Sequence, residues 1–82
     1  MYYTYIVHSK RIKRYYTGQT IDLERRLDEH NRGKTPFLAR GIPWELVYSN
    51  EFESRKEAMH HEKVIKKRGA ERFLSDLNSQ CG

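Results

Sequence analysis

The sequence predicts an α/β chain of the α+β kind, and three observations carry that prediction. Two stretches rich in aromatic and β-branched residues, Tyr2–Val7 and Tyr15–Thr20, open the chain, and a third, Trp44–Phe52, follows later, the composition of strands. Between and after them lie segments with helical apolar spacing, Ile21–Arg32 and about Arg55–Arg68. With 82 residues there is room for one domain, expected over residues 1–82, and a core so modest that nearly every element must serve it.

The first two stretches are expected to pair as antiparallel strands across HSKRIKR, whose cations either contact phosphate or keep a turn solvated. Period-two alternation puts Tyr3 and Tyr5 on one face. On the second strand Tyr16 shares a face with Gly18, where the missing side chain leaves space for a ligand or a closely packed element. In Ile21–Arg32 the acids Asp22 and Glu24 favour a helix start, Gly33 favours a stop, and Leu23, Leu27 and His30 share the buried face. The stretch GKTPFLARGIPW has two Pro and two Gly and reads as a loop leading into the third strand. Ser54 followed by Glu57 has the form of a capping box and starts the next helix. Gly69 interrupts that helix, and a last one, about Ala70–Ser79, offers Phe73, Leu74 and Leu77 to an edge of the sheet.

Sixteen Lys and Arg against 11 Asp and Glu give a formal net charge of +5, which points to a polyanionic partner. Nucleic acid leads, and a membrane surface competes less well because the cations are not gathered on one strongly amphipathic helix. No apolar run approaches the roughly 20 residues that a bilayer requires. The single Cys81 excludes an intrachain disulfide and a thiolate zinc site, so the expected compartment is cytoplasmic.

Glu62 falls on the helical stripe of Ala58 and Ile65, where a carboxylate is costly unless it is paired or holds a metal. It either forms an ion pair with arginine, snorkels to the edge, or carries chemistry. Arg26 and His30, four residues apart on one helix, are neighbours. A guanidinium there suits phosphate, although Arg26 can also pair with Asp22, and His30 can serve as a hydrogen-bonded core histidine. His60 belongs on the surface, since adjacent helical residues do not face one point with His61 and Glu62, and His8 has no evident partner.

Taken together, these residues resemble the GIY-YIG nuclease family. Its Gly-Ile-Tyr motif corresponds to Tyr3-Thr4-Tyr5 and its Tyr-Ile-Gly motif to Tyr16-Thr17-Gly18. Arg26 follows at the spacing of the family's essential arginine, and His30 stands where members carry His or Tyr. Asn31 and Gly33 continue the HN-x-G ending of that helix, and Glu62, in EAMHHEKVIKK, matches the metal-binding glutamate. The likeness covers about Tyr2–Arg68 and looks closest to short stand-alone bacterial members, with similarity to the N-terminal nuclease domain of the excision-repair endonuclease. The first motif lacks its glycine and isoleucine, Gln19 replaces a lysine, and Leu38 and Ala39 stand where relatives often carry Thr and a basic residue.

The resemblance implies a three-stranded antiparallel sheet flanked by helices, with Tyr5, Tyr16, Arg26, His30 and Glu62 converging as the catalytic set. It further implies a DNA endonuclease, structure-directed or repair-related, that uses Mg²⁺ or Mn²⁺ on Glu62. Either tyrosine could take the proton from water, its pKa lowered by Arg26 and the metal. Lys10, Arg11, Lys13, Arg14, Gln19, Lys34, Arg40, Lys66 and Lys67 are the expected nucleic-acid contacts. The alternative is a weak or inactive nucleic-acid-binding module of the same fold that acts with a protein partner.

Overall fold

The computed structural model describes the backbone of residues 1–81 and the side chains of residues 1–78. Expectations for the Cys81 side chain and for Gly82 lie outside the described residues. Strand β1 (Tyr2–Ser9) is the centre of a three-stranded antiparallel sheet, between β2 (Arg14–Thr20) and β3 (Trp44–Phe52). Thr4, Tyr5, Ile6 and Val7 are consecutive buried residues. Such a run suits a strand that is covered on both faces.

On one face Tyr5 and Val7 form the main core with Leu38 and Trp44, and Tyr16, Leu23, Leu27 and Ile42 pack around it. Leu23 and Leu27 come from helix α1 (Leu23–Asn31), Leu38 from the short α2 (Pro36–Ala39), Ile42 from the connection into β3, Trp44 from the start of β3 and Tyr16 from β2. Thr4 and Ile6 face the opposite way, toward α3 (Arg55–Arg68), where Ala58 and Ile65 are fully buried. Thr4, which replaces the motif isoleucine, satisfies its buried hydroxyl by donating to the Ala58 carbonyl at 2.7 Å. Helix α4 (Ala70–Cys81) follows α3, and its Phe73 meets Tyr48 of β3 edge-on at 5.1 Å and His61 of α3 at 5.6 Å. Tyr48 Oη and His61 Nε2 share a hydrogen bond of 2.9 Å, so His61 is tied to the sheet.

Several boundaries differ from the sequence expectation. Both strands of the first pair are longer, so the turn shrinks to Lys10–Lys13, with Lys13 at φ 54°. His8 has a partner after all, its ring 4.4 Å from that of Tyr15 across the pair. Helix α1 begins later because Asp22 is extended and acts as its N-cap, accepting from the Arg25 N–H at 3.1 Å. The stretch expected to be wholly loop contains α2, where Pro36 opens the first turn with a fixed φ and no N–H to lose. Helix α4 runs past residue 79 to Cys81. The Leu38 that departs from the family pattern is core, 3% exposed.

Asn31 at the end of α1 accepts from the Trp44 N–H at 2.6 Å and donates to the Trp44 carbonyl at 3.1 Å. Its amide thus imitates a neighbouring strand and fixes α1 to the start of β3. The Trp44 indole N–H donates to the Leu38 carbonyl at 2.8 Å, which holds α2 over the same corner. Along β3 the register shifts opposite Ile6 and Val7, so that Val47 lies between the partners Leu46 and Tyr48.

Ile65→Ala removes a fully buried side chain between helix and sheet and should cost about 2–5 kcal/mol. Urea denaturation checks this through a lower midpoint at unchanged slope.

Candidate active site

Tyr5 and Gly18 are direct partners across β1 and β2. A Cβ at Gly18 would lie 2.6 Å from the Tyr5 hydroxyl oxygen and 2.8 Å from Cζ, so the tyrosine ring crosses β2 through the gap that glycine leaves. The space expected beside Tyr16 is therefore filled by Tyr5 itself. This route delivers the Tyr5 hydroxyl to α1, where it meets His30 Nε2 at 3.0 Å and accepts from Arg26 Nε at 3.4 Å. Arg26 pairs with Glu29 at 3.4 Å and not with Asp22, whose carboxylate is committed to the helix cap. The Tyr16 ring stands 6.5 Å from Tyr5 and 5.3 Å edge-on from His30. Four of the five expected catalytic residues thus form one cluster.

Burial sets its protonation. The Tyr5 phenol is pushed above its usual value of 10.0 by desolvation, against the opposing pull of Arg26, with smaller upward contributions from Tyr16 and Glu62. Arg26 pulls the Tyr5 phenol down as expected, but burial outweighs the pull of the guanidinium alone and the net shift is upward. His30 is fully buried, and desolvation followed by the Arg26 charge lowers its pKa below 6.5. At neutral pH the cluster holds a neutral phenol and a neutral imidazole. The Tyr5 hydroxyl can then accept from Arg26 while donating to Nε2, which leaves the proton on His30 Nδ1. Among the described residues, Nδ1 is buried without a hydrogen-bond partner, so an imidazolium here would be poorly supported.

Glu62 stands apart from this cluster. It lies at the rim of the α3 stripe with its side chain 20% exposed, paired with Lys66 one turn on at 2.7 Å. Its partner is a lysine where an arginine was expected, and its place at the rim matches the alternative of a side chain that snorkels to the edge. Its carboxylate makes none of the hydrogen bonds to Tyr5, yet its charge reaches the phenol. No group of three or more acidic, histidine or cysteine side chains among the described residues could hold a metal ion. One hard carboxylate nonetheless fits Mg²⁺ or Mn²⁺, since Mg²⁺ keeps several waters and takes one or two carboxylates together with substrate phosphates.

The expected cations divide by their surroundings. Lys13, Arg14 and Lys66 line a groove of about 530 Å³ beside Tyr16, joined by Arg68 and Arg72 from the α3–α4 junction. Gln19 lines a second cleft of about 320 Å³ with Arg25, Arg26 and Arg55. Lys10 is held by Glu45 at 3.8 Å, and Lys66 is the partner of Glu62. Arg11, Lys34 and Lys67 are exposed and line neither groove, whereas Arg40 belongs to a third. Arg25 and Arg55 were not singled out from sequence. Arg25 sits beside a motif residue, and Arg55 opens a helix, where its charge is unfavourable and therefore informative.

The α+β sheet thus carries a tyrosine–arginine–histidine cluster and an outlying glutamate. The model of the GIY-YIG catalytic domain matches residues 1–73, and the chain belongs to that family, a family of nucleases that generally use divalent metal ions. Similar proteins include a UPF0213 protein of Streptococcus agalactiae, 44% identical over 54 residues, 65% of this chain and 61% of that one. A UPF0213 protein of Streptococcus pneumoniae is 41% identical over 66 residues, covering 76% of this chain and 67% of the relative. One from Halobacterium salinarum is 45% identical over 53 residues, 63% and 69% of the two chains. The chain thus spans 61% of the length of the first of these relatives. No solved structure gives a significant match.

Gly18→Ala should destabilise the domain by about 1–3 kcal/mol by overpacking against Tyr5. The penalty should shrink in a Tyr5→Leu background, a coupling that a double-mutant cycle measures. In NMR titration His30 should show a midpoint below 6.5, and Arg26→Met should raise it by removing the guanidinium charge.

Proposed function

We propose that residues 1–82 act as one metal-dependent endonuclease domain that hydrolyses phosphodiester bonds of DNA, in structure-directed or repair-related cleavage in the cytoplasm. The observation that carries this reading is the Tyr5 hydroxyl held between Arg26 and a neutral His30. Hydrolysis needs a water that loses a proton while it attacks phosphorus and the opposite P–O bond breaks. A free Tyr5 phenolate is disfavoured by burial, but a relay does not need one. Tyr5 gives its proton to His30 Nε2 as it takes one from the water; the imidazolium forms only in passing, and the phosphate bound at Arg26 offsets the guanidinium charge that opposes it. Tyr5 is accordingly the base and Tyr16, which makes the second wall of the cluster, orients the water. Arg26 binds the phosphate, its charge held in place by Glu29. The leaving 3′ oxygen takes a proton from solvent water, so the products are a 5′-phosphate and a 3′-hydroxyl.

Glu62 would hold Mg²⁺ or Mn²⁺ and release Lys66 as it does so. When bound, the ion supplies neutralisation of the charge that develops on the phosphate and the leaving oxygen. The exposed cations and both grooves favour phosphate contacts over base readout, so binding should weaken steeply with salt.

The closed Glu62–Lys66 pair supports a second reading, a binding module of the same fold that depends on a protein partner. A panel of plasmid, single-stranded, flapped and branched DNA together with RNA, in Mg²⁺ or Mn²⁺, separates the two. Under the nuclease reading, Tyr5→Phe should lower cleavage by about 10²–10⁴-fold and Glu62→Ala should abolish it, while affinity falls tenfold or more between low and moderate salt for all variants. Binding by wild type without cleavage in any metal would select the module.

A further inference from the structure

Phe37 is the most exposed large hydrophobic side chain among the described residues, at 82%. One exposed phenylalanine by itself is ordinary on a protein surface. This one is not alone. Helix α2 turns its other apolar residue, Leu38, into the core and leaves Phe37 on the wall of a groove of about 490 Å³. Ile12 and Tyr15, each 37% exposed, line the same groove, as do Arg14 and Arg40. Tyr16 lines it too, so the groove opens directly beside the Tyr5–His30 cluster.

The charge of the lining selects the occupant. Two guanidinium groups and no carboxylate line the groove, which disfavours an ordinary apolar protein segment and favours an anion that carries a flat apolar body. A nucleotide is such a ligand: aromatic faces accept a base of any identity, and arginines accept its phosphates. A base inside a duplex keeps its faces against its neighbours, so only an unpaired base can reach Phe37. We infer that the Phe37 groove is a stacking site for an unpaired base of the substrate strand, next to the phosphate held at Arg26, which makes single-stranded or locally unpaired DNA the preferred substrate. The inference rests on the nuclease reading and narrows its substrate.

A titration with a single-stranded oligonucleotide carrying 2-aminopurine, in EDTA so that no cleavage occurs, tests it. Stacking on Phe37 should quench the probe's fluorescence on binding. Phe37→Ala should lose the quench and weaken single-strand binding by about tenfold to a hundredfold, leave binding to a blunt duplex unchanged, and be rescued by Phe37→Trp. Because Phe37 is so exposed, circular dichroism and Tm of the alanine variant should match wild type. Equal single-strand binding and quench by wild type and Phe37→Ala would overturn the inference while leaving a cleaving wild type a nuclease. An equal loss on duplex would overturn it as well. So would Phe37-dependent binding to phosphatidylglycerol vesicles without the quench, which would assign the groove to a membrane surface. Failure of wild type to bind or cleave any nucleic acid would remove the nuclease reading first.

Discussion

The site depends on one close approach, the passage of the Tyr5 ring over Gly18. Tyr5 is rooted in the central strand, so its position is fixed by pairing on both sides of β1 and by the apolar packing of Val7, Leu38 and Trp44 around it. A residue with any side chain at position 18 would deny it that path. With the path open, the hydroxyl reaches across β2 to α1 and meets two functional groups that stand one helical turn apart. The core and the tyrosine–arginine–histidine cluster are therefore the same object viewed from two ends, and there is little freedom to change one without the other.

Electrostatically the cluster is built from neutral groups around one permanent cation. Burial keeps both Tyr5 and His30 uncharged near neutrality, and Arg26, whose own proton is held more tightly by its bond to Tyr5, supplies the field. Glu29 balances that charge without touching the phenol. Glu62 makes no hydrogen bond to the cluster and is closed by its own lysine. Its charge still reaches the phenol, as a smaller contribution than burial to the upward shift.

Much of this was legible in the sequence because its signals were redundant. β3 and α3 fall where composition and the Ser54 cap put them, and of the five residues that the family resemblance implied would converge, Tyr5, Tyr16, Arg26 and His30 do so. The readings that failed are those that depend on which of two partners wins. Asp22 could pair with Arg26 or cap its helix, and the unsatisfied N–H of Arg25 was the better acceptor's target. Thr35–Ala39 carries the turn residues of a loop, yet burial of Leu38 beneath Trp44 winds it into a single helical turn. The fall of a pKa beside an arginine follows from charge alone, but its rise at Tyr5 follows from depth, which no spacing rule reports.

The irregularity in β3 bears on how this protein keeps company with itself. β3 is an edge strand with Leu46 and Val47 about two-fifths exposed, the kind of border on which a second copy could lay a strand and begin to aggregate. Val47 interrupts the regular pleat there, so a straight strand brought alongside would lose its hydrogen-bond register halfway. One extra residue in a strand is thus the kind of irregularity that works against edge-to-edge pairing.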